Sequence, residues 1–374
     1  MEAIGVGVIG ASPTNPGWAI ASHIPAIRAL PDYELRAVST SNRRSAEAAA
    51  AAFGVPAFDN YKELVACPGV DLVVVTVKVR HHHEMVAAAL DAGKMVFSEW
   101  PLGRNLQEAH DLAQRAAAAG VRTAIGLQGR FAPAIQQARK LIQDGYVGNV
   151  LGTALVGSGL AWGPETERAR EYLFDVAEGA STLTVPTLHA LDALNFMVGD
   201  FVDVGARLGQ GRRWVHVRED DRTVPVTAPD QVAIFGSLQS GATASIFYRG
   251  GLSRGSNLHW EINGTEGDLV ISSNMGNVQV ADLRLSGGRS TDTQVSSIAL
   301  PDLADDFGIA EVPGGNTLRL YAQLAADIRS GTHFTPDFAR ARYQHEVIAA
   351  IEKASATGQV QKLVPEAPDR PASL

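Results

Sequence analysis

The sequence has little cysteine and no long apolar run, and each shortage excludes a class of protein. Cys67 is the only cysteine in 374 residues, which excludes an internal disulfide and a zinc site built from several cysteines. No apolar run is long enough to cross a bilayer and no signal peptide is recognisable, so we expect a cytoplasmic protein. Lysine and arginine number 32 against 40 aspartates and glutamates, and the net charge of -8 argues against nucleic-acid or acidic-membrane partners.

Apolar residues make up 45% of the chain, and its length suggests two domains. Over residues 1–127 strands and helices alternate, which is typical of a doubly wound parallel sheet. We therefore predict an α/β dinucleotide-binding Rossmann domain over residues 1–127. The predicted strands of this domain cover residues 4–9, 34–39, 71–77, 94–98 and 121–127.

Residues 128–374 show a different pattern, with frequent strands of alternating polarity after one helix. Short turns separate the pairs 232–238 and 242–248, and 258–263 and 268–272, as in antiparallel hairpins. We predict a C-terminal α+β domain with a large, mainly antiparallel, open-faced sheet, interrupted by a helix near 187–198. Further helices are predicted after a cap at Asn316 and with Pro336 in first position, before a loose tail over the last fifteen residues.

The stretch after the first strand predicts a phosphate-binding turn. Gly10 ends the strand, and a polar loop through Gly17 leads into an apolar helical pattern. Such a turn aims backbone N–H groups at a phosphate, although any α/β protein needs a tight first turn. The spacing Gly-x-Gly-x-x-Gly at residues 5–10 lies inside the strand and is set aside. The expected cofactor contacts here are Gly10, Ser12, Asn15 and Trp18.

The end of the second strand bears on the choice between NAD and NADP. An NAD site usually has an acidic residue there for the ribose hydroxyls, whereas the 2′-phosphate of NADP prefers arginine and small polar residues. Residues 39–44 contain no acid and end in two arginines, which favours NADP. The alternative is that Arg43 merely begins a solvated helix and that Ser41 and Asn42 hold NAD.

Several short motifs, spread over nearly the whole chain, together resemble the glucose-fructose oxidoreductase/inositol dehydrogenase/MocA (Gfo/Idh/MocA) family. Within it, Glu-Trp-Pro-Leu-Gly at 99–103 and the loop at 12–18 resemble the Gal80-like branch, whose fungal namesake is a cofactor-binding regulator. The resemblance implies a dinucleotide domain, an open-faced sheet domain, nicotinamide in the cleft between them and a sugar or cyclitol substrate. The motifs are the opening strand and turn, Asp91–Val96, Ser98–Gly103, Leu188–Asp192 and Gly264–Gly267.

Carried over to this sequence, the family pattern is incomplete. Trp100 occupies the position of the lysine in the usual Glu-Lys-Pro triplet, and an indole cannot exchange a proton at neutral pH. His189 and Asp192 match the family's His-x-x-Asp, so His189 is the candidate general base. Val185 replaces an acid found in many relatives. Lys78, at the predicted end of the strand 71–77, is the candidate to orient the reacting oxygen.

The remaining candidates are assigned to cofactor or substrate. Arg130, as an exposed arginine, is a candidate for sugar hydroxyls or a substrate anion, and Trp162 and Tyr172 for stacking on a sugar ring. The alternatives are that His189 is simply packed, that Lys78 is a surface cation and that the two aromatic residues fill the core. A metal at residues 81–84 is rejected because successive side chains diverge. The further cofactor contacts are Val77, Lys78, His82, Glu99, Trp100 and Gln128, and the further substrate contacts Trp100 and Asp192.

Three functions remain open at the sequence level. The favoured one is an NAD(P)-dependent oxidoreductase that acts on a sugar, glycoside or related polyol. The second is a catalytically silent, Gal80-like sensor of dinucleotides, and the third is a glycosidase that oxidises its sugar transiently and regenerates the cofactor. An open sheet face also predicts a homodimer or homotetramer, since monomers seldom expose a broad apolar face.

Overall fold

The computed structural model describes residues 2–301 and 314–365, and the chain divides into two compact units. Within the described residues, unit 1 contains 2–128 and 314–342, and unit 2 contains 129–301 and 343–365. Over these same ranges no helix is both long and apolar enough to span a membrane.

Unit 1 contains a six-stranded parallel sheet. Its strands are β1 (Ile4–Ile9), β2 (Tyr33–Ser39), β3 (Ala57–Phe58), β4 (Leu72–Val75), β5 (Met95–Ser98) and β6 (Thr123–Ile125). They lie in the order β3-β2-β1-β4-β5-β6, and every neighbouring pair is parallel. This order is that of a doubly wound dinucleotide-binding sheet, whose switch point lies between β1 and β4. The predicted Rossmann fold is confirmed.

Five α-helices lie within residues 2–128 of unit 1: α1 (Ile24–Ala29), preceded by a π-helical turn at Ala19–His23, α2 (Arg43–Phe53), α3 (Tyr61–Ala66), α4 (His82–Asp91) and α5 (Leu106–Ala119). Three of them begin at an asparagine cap. The side chains of Asn42, Asn60 and Asn105 each accept a hydrogen bond from the backbone N–H three residues on. Gly54 and Gly120 end α2 and α5 with positive φ, as C-terminal caps require.

The central strands are shorter than the sequence predicted. β4 ends at Val75 instead of Val77, because Thr76 turns back onto β1. Its N–H and its hydroxyl both donate to the carbonyl of Ile9, at 3.1 and 2.7 Å. Residues 72–75 are at most 1% exposed, as expected for a strand covered on both faces. Lys78 therefore lies three residues beyond the strand, directly before a 3₁₀ turn at Val79–His81.

Unit 2 is built on a nine-stranded mixed sheet with two helices before its hairpins. The helices are α6 (Pro133–Gln143) and α7 (Leu188–Val198). The strands are β7 (Val150–Gly159), β8 (Glu165–Thr166), β9 (Phe201–Gly209), β10 (Trp214–Val217), β11 (Arg222–Pro225), β12 (Gln231–Leu238), β13 (Thr243–Gly250), β14 (Leu258–Gly264), β15 (Gly267–Ser273), β16 (Arg284–Arg289), β17 (Ser296–Ser297) and β18 (Gln361–Lys362).

The large sheet has the order β17-β16-β15-β14-β7-β13-β12-β9-β18, and only β7 and β13 pair in parallel. The small sheet is β11-β10-β8. The predicted hairpins β12–β13 and β14–β15 are present, so the mainly antiparallel sheet is confirmed. One face of β12 is buried, with Val232, Ile234 and Leu238 at most 2% exposed, whereas Phe235 on the other face is 55% exposed.

Two helices follow the second sheet, α8 (Gly314–Ser330) and α9 (Phe338–Thr357). The described residues 314–342 group with unit 1, which differs from the contiguous division 1–127 and 128–374 that the sequence predicted. The reason is that α8 packs against segments of unit 1 that are far away in the sequence. The hydroxyl of Ser22 donates to Thr317 at 2.7 Å, and that of Tyr33 donates to the carbonyl of Tyr321 at 2.8 Å. Such long-range contacts carry no periodic signal in the sequence.

The predicted starts of these helices were wrong. Asn316 lies inside α8 and does not cap it, and Pro336 precedes α9 by two residues instead of occupying its first position. Asp337 is the residue that accepts hydrogen bonds from the first N–H groups of α9. Of the predicted tail, residues 366–374 lie outside the described ranges, and Gln361–Lys362 pair with β9.

Candidate active site

The loop after β1 is built around Gly10. This residue has φ +98°, and a Cβ added to it would lie 2.7 Å from the carbonyl oxygen of Thr76. Only glycine fits, because positive φ and this close approach both exclude a side chain. The N–H groups of Gly10 and Ala11 both donate to the carbonyl of Ser39, which fixes the start of the loop.

The other predicted contacts in this loop lie beyond that fixed start. Ser12 and Thr14 share a hydrogen bond of 3.0 Å, and Asn15 is exposed. Trp18 precedes the turn that opens into α1, and its buried Nε1 has no hydrogen-bond partner in residues 2–301 and 314–365. A Cβ added to Gly17 would have no atom within 4 Å, so packing does not exclude a side chain at this position.

The residues after β2 form the start of α2. Asn42 Oδ1 accepts from the Ser45 N–H at 3.0 Å, so the amide that was predicted to contact the cofactor also caps the helix. Ser41 is exposed. Arg43 is exposed as well and pairs with Glu47 one turn later, at 3.2 Å. An arginine in an exposed i,i+4 pair is held weakly and can turn toward another anion.

His82 connects the segments that follow β4 and β5. Its Nδ1 lies 2.8 Å from the carbonyl oxygen of Pro101, and its Nε2 lies 3.0 Å from that of Val77. Burial lowers the pKa of His82, so the ring is held uncharged and donates to one of the two carbonyls at a time. His82 thus ties the segment after β4 to the segment after β5, and its place beside the cofactor stays a prediction.

Three predicted contacts follow β5 and β6. The N–H of Glu99 donates to the carbonyl of Val75 at 3.0 Å, which ties the Glu-Trp-Pro motif to β4. Trp100 is only 5% exposed and joins Pro101 through a cis peptide bond. Gln128 is 2% exposed, and its Oε1 has no hydrogen-bond partner among the described residues.

These features fit a dinucleotide at the carboxyl edge of the unit 1 sheet. Gly10 ends β1 with a positive φ, as the glycine of a first dinucleotide-binding turn does, and the space of its absent Cβ is taken up by the close approach of the Thr76 carbonyl. Two buried polar atoms, Trp18 Nε1 and Gln128 Oε1, lack partners within the described part of the chain. Buried groups of this kind call for a partner, since an unmade hydrogen bond costs free energy.

In unit 2, α7 carries His189. The ring is 3% exposed, and its Nδ1 has no hydrogen-bond partner in the ranges described. Burial lowers the pKa of His189 to about 4, and the nearby charge of Asp192 opposes the shift only partly. The imidazole is therefore uncharged at neutral pH and able to accept a proton or a hydrogen bond.

The expectation that Arg130 is exposed was wrong. Its guanidinium is 2% exposed and forms two hydrogen bonds to the carboxylate of Asp192. Gln344, on α9, adds a third contact, from Nε2 to Asp192 Oδ1 at 3.2 Å. Both residues were predicted to contact substrate, but the structure places them in a buried ion pair with each other. Sequence alone could not reveal that the two residues, 62 positions apart, are partners.

The two aromatic candidates of unit 2 differ in burial. Trp162 is 5% exposed and packs against Gly159, where a Cβ would lie 2.8 Å from the indole. A small cavity beside it is lined by Leu173, Phe174, Thr182 and five other residues. Tyr172 is partly buried, which raises the pKa of its hydroxyl. The burial of Trp162 is what the alternative, a residue that fills the core, would show.

One polar residue of unit 1 was missed altogether. His23 is fully buried and lies 2.9 Å from Glu99 through its Nε2. The available signal was its position in the apolar pattern Ile20, Ile24 and Ile27, since a polar residue on a buried helix face needs a partner.

Models of two known domains match the chain. Residues 4–127 match the NAD-binding Rossmann fold of the oxidoreductase family GFO_IDH_MocA, and residues 133–273 match the Gal80p C-terminal domain. Residues 4–127 thus carry the NAD-binding domain of the Gfo/Idh/MocA family. The chain's Gal80-like second domain confirms the branch to which the sequence motifs pointed.

Individual relatives include a regulator and dehydrogenases. The galactose/lactose metabolism regulatory protein GAL80 of Saccharomyces cerevisiae is 28% identical over 324 residues, which cover 77% of this chain and 72% of that protein. Dehydrogenase aclE of Aspergillus oryzae is 37% identical over 177 residues, 46% of this chain and 48% of its own length. Levoglucosan dehydrogenase of Pseudarthrobacter phenanthrenivorans is 24% identical over 304 residues, 73% of this chain and 74% of that enzyme.

The fold similarity extends over almost the whole chain. The super-repressor mutant of Gal80p from Saccharomyces cerevisiae aligns with a TM-score of 0.87 and 25% identity, covering 96% of this chain and 98% of that one. One fold thus serves both enzymes and a regulator, so the function of this chain has to be inferred from the residues of its site.

Proposed function

We propose that the chain is an NAD(P)-dependent oxidoreductase that transfers a hydride between the nicotinamide and a sugar, glycoside or related polyol. The observation that carries this proposal is the imidazole of His189, which burial keeps uncharged and whose Nδ1 lacks a partner in the described residues. A buried, uncharged nitrogen without a partner is suited to accept a hydrogen bond from a substrate hydroxyl, which is the contact that a general base has to make. A merely packed histidine would instead be expected to use both ring nitrogens.

Residues of unit 1 would hold the cofactor. Gly10 and the loop to Trp18 would take the pyrophosphate, and the segment Ser41–Arg43 the adenosine ribose. When bound, NAD(P)⁺ would supply the acceptor for a hydride from the carbon that carries the substrate hydroxyl. His189 would take the hydroxyl proton as that alcohol is oxidised to a carbonyl. Lys78 is assigned to orient the reacting oxygen by donating a hydrogen bond to it.

The silent sensor is the second candidate, and Trp100 is the observation that favours it. An indole stands where typical relatives have a lysine, and it is only 5% exposed, so the position offers no proton. The 28% identity with GAL80 over 324 residues supports the same function. His189 argues against the sensor, because a protein without catalytic activity does not require a buried, uncharged imidazole. Transient oxidation of a glycoside remains the third candidate, since it would use the same residues.

One experiment separates the three functions. The purified protein is incubated with NAD or NADP and a panel of sugars, polyols and glycosides, while nicotinamide absorbance and free sugar are followed together. Net reduction of the cofactor supports the oxidoreductase, and sugar release without net reduction supports the glycosidase. Tight cofactor binding without turnover on any substrate supports the sensor.

Variants test the assigned residues in the same assay. We expect His189→Gln and Lys78→Met to lower kcat by about 100-fold, the usual contribution of a general base. Exposed residues of the same types, changed as His259→Gln and Lys62→Met, are the matched controls. If both active-site variants turned over like the wild type, the assignment of the reacting centre would be wrong.

A further inference from the structure

A buried chain of three side chains in unit 1 ends at Glu99. His23 is fully buried, with Nε2 2.9 Å from Glu99 Oε1 and Nδ1 2.8 Å from the hydroxyl of Tyr321. The imidazole also lies edge-on to Phe97, with the ring centroids 5.1 Å apart. His23 precedes α1 and Tyr321 lies on α8, so the chain of contacts joins two distant segments, and His23 is the member that reaches the carboxylate.

The donors in this chain can be assigned from the chemistry of the groups. An ionised carboxylate can only accept, so the proton of an uncharged His23 ring belongs on Nε2 and points at Glu99. Nδ1 is then the acceptor, and the Tyr321 hydroxyl donates to it. Both ring nitrogens of His23 and the hydroxyl of Tyr321 are satisfied in this arrangement with one tautomer. Tyr321 thereby fixes the tautomer that His23 needs in order to hold Glu99.

The carboxylate of Glu99 lies at the carboxyl edge of the unit 1 sheet. Glu99 directly follows β5, and a Cβ on Gly126, just after β6, would lie 2.4 Å from its Oε1 and 2.9 Å from its Oε2. The side chain is 14% exposed, whereas that of His23 is not exposed at all. In the described residues no donor reaches Oε2, so one oxygen is held and the other is available.

We propose that His23 is a positioning residue, which together with Tyr321 holds the Glu99 carboxylate as an acceptor for the ribose hydroxyls of the bound dinucleotide. This inference rests on the cofactor binding in the proposed function. A carboxylate that accepts hydrogen bonds from a vicinal diol must keep one oxygen oriented toward the diol. A side chain that rotates freely before binding would lose conformational entropy when it adopts this orientation. The fixed tautomer of His23 removes this freedom before the cofactor arrives.

The test is a fluorescence titration with NADH and with NADPH, with the unfolding temperature of each cofactor-free variant measured in parallel. His23→Phe preserves the ring packing and removes both hydrogen bonds, and we expect the Kd of the preferred dinucleotide to rise about tenfold. Tyr321→Phe removes only the hydroxyl and should raise the Kd about threefold. His23→Gln restores a donor toward Glu99 and should recover part of the affinity.

The matched control is His83→Phe. His83, on α4, forms a similar contact of 2.8 Å with Asp111 on α5, but both side chains are partly exposed. This substitution should leave the Kd unchanged. In a Glu99→Gln background, His23→Gln should have little further effect, since the two residues act through one contact. A purely structural role would lower the unfolding temperature and leave the Kd of the folded protein as it is.

The outcomes distinguish this inference from the proposed function. If the wild type binds a dinucleotide and the His23 and Tyr321 variants bind it equally well, the positioning role is wrong and the cofactor function stands. If the wild type binds neither NADH nor NADPH, both are overturned. Should His23→Phe fail to fold, His23→Gln and Tyr321→Phe decide the question by themselves.

Discussion

Arg130 and Asp192 form a buried, two-pronged ion pair in unit 2. Nε of the guanidinium lies 2.9 Å from Oδ2 and Nη2 lies 2.5 Å from Oδ1, and both side chains are at most 2% exposed. Asp192 lies three residues after His189 on α7, so this pair anchors the helix face next to the candidate base. The pair ties α7 to Arg130, and the substrate contacts that the sequence predicted for the two residues stay predictions.

Removal of one partner should destabilise the protein strongly. Arg130→Met leaves the carboxylate of Asp192 buried without its counter-ion, which typically costs about 3–5 kcal/mol. The double variant Arg130→Met/Asp192→Leu should recover most of that loss, because no unpaired charge remains. Urea denaturation, followed by circular dichroism, measures the free energy of unfolding.

Arg115→Met is the control for this measurement. Arg115 pairs with Asp111 on the surface of α5, and loss of an exposed pair screened by solvent should hardly change the free energy of unfolding. A single variant Arg130→Met as stable as Arg115→Met would show that the buried pair does not anchor α7.

Sequence periodicity was enough to predict the sheets but not the partners of buried polar residues. The apolar runs of β1 and β4 and the hairpin β12–β13 follow from local patterns, although β4 ends two residues before its predicted end. The pairs Arg130–Asp192 and His23–Glu99 join residues 62 and 76 positions apart. Because a hydrogen bond over that distance depends on the whole fold, no local rule could predict it.

The stability of the protein should depend on pH through His189. Burial lowers its pKa from the ordinary 6.5 to about 4, so between those values the unfolded chain binds a proton that the folded chain does not. The free energy of unfolding therefore decreases as the pH falls from 6.5 toward 4, and His189 has no such effect above pH 6.5. The full shift corresponds to about 3 kcal/mol.

The comparison that isolates this effect is wild type against His189→Gln, each denatured with urea at pH 5 and at pH 7.5. The variant should lose less stability between the two pH values than the wild type does. His259→Gln, which alters a half-exposed histidine of the same unit, should behave like the wild type. Identical pH dependence in all three proteins would contradict a buried, uncharged His189.

The exposed face of the large sheet predicts self-association. Phe235 is 55% exposed on the open face of β12, and monomers seldom leave a broad apolar face in water. We expect a dimer or tetramer by light scattering, and Phe235→Glu should convert it to smaller species. Trp214→Glu changes a residue that is 61% exposed on the small sheet, and it should leave the assembly intact. A wild-type monomer at micromolar concentration would refute the prediction.

The choice between NAD and NADP should depend on Arg43. Its guanidinium is exposed at the start of α2, where the 2′-phosphate of NADP would be bound, and its contact with Glu47 is weak. Arg43→Ala should raise the Kd for NADPH about tenfold and leave that for NADH unchanged. Arg36→Ala removes another exposed arginine of unit 1 and serves as the control. If Arg43→Ala alters neither affinity, Arg43 is only a solvated helix start.

The two glycines of the first loop should respond differently to alanine. At Gly10 a Cβ would have to accept φ +98° and a carbonyl oxygen 2.7 Å away, so Gly10→Ala has to displace either the loop or Thr76. At Gly17 nothing lies within 4 Å, so Gly17→Ala meets no obstacle. The strain at Gly10 is of the order of 1–3 kcal/mol.

Both variants are compared with the wild type by thermal unfolding and by NADH titration. We expect Gly10→Ala to unfold several degrees lower and to bind the cofactor at least tenfold more weakly, because the loop that would receive the pyrophosphate has moved. Gly17→Ala should match the wild type in both measurements. A Gly10→Ala protein that binds normally would place the pyrophosphate away from this loop, whereas weak binding by Gly17→Ala alone would show that Gly17 approaches the cofactor with its backbone.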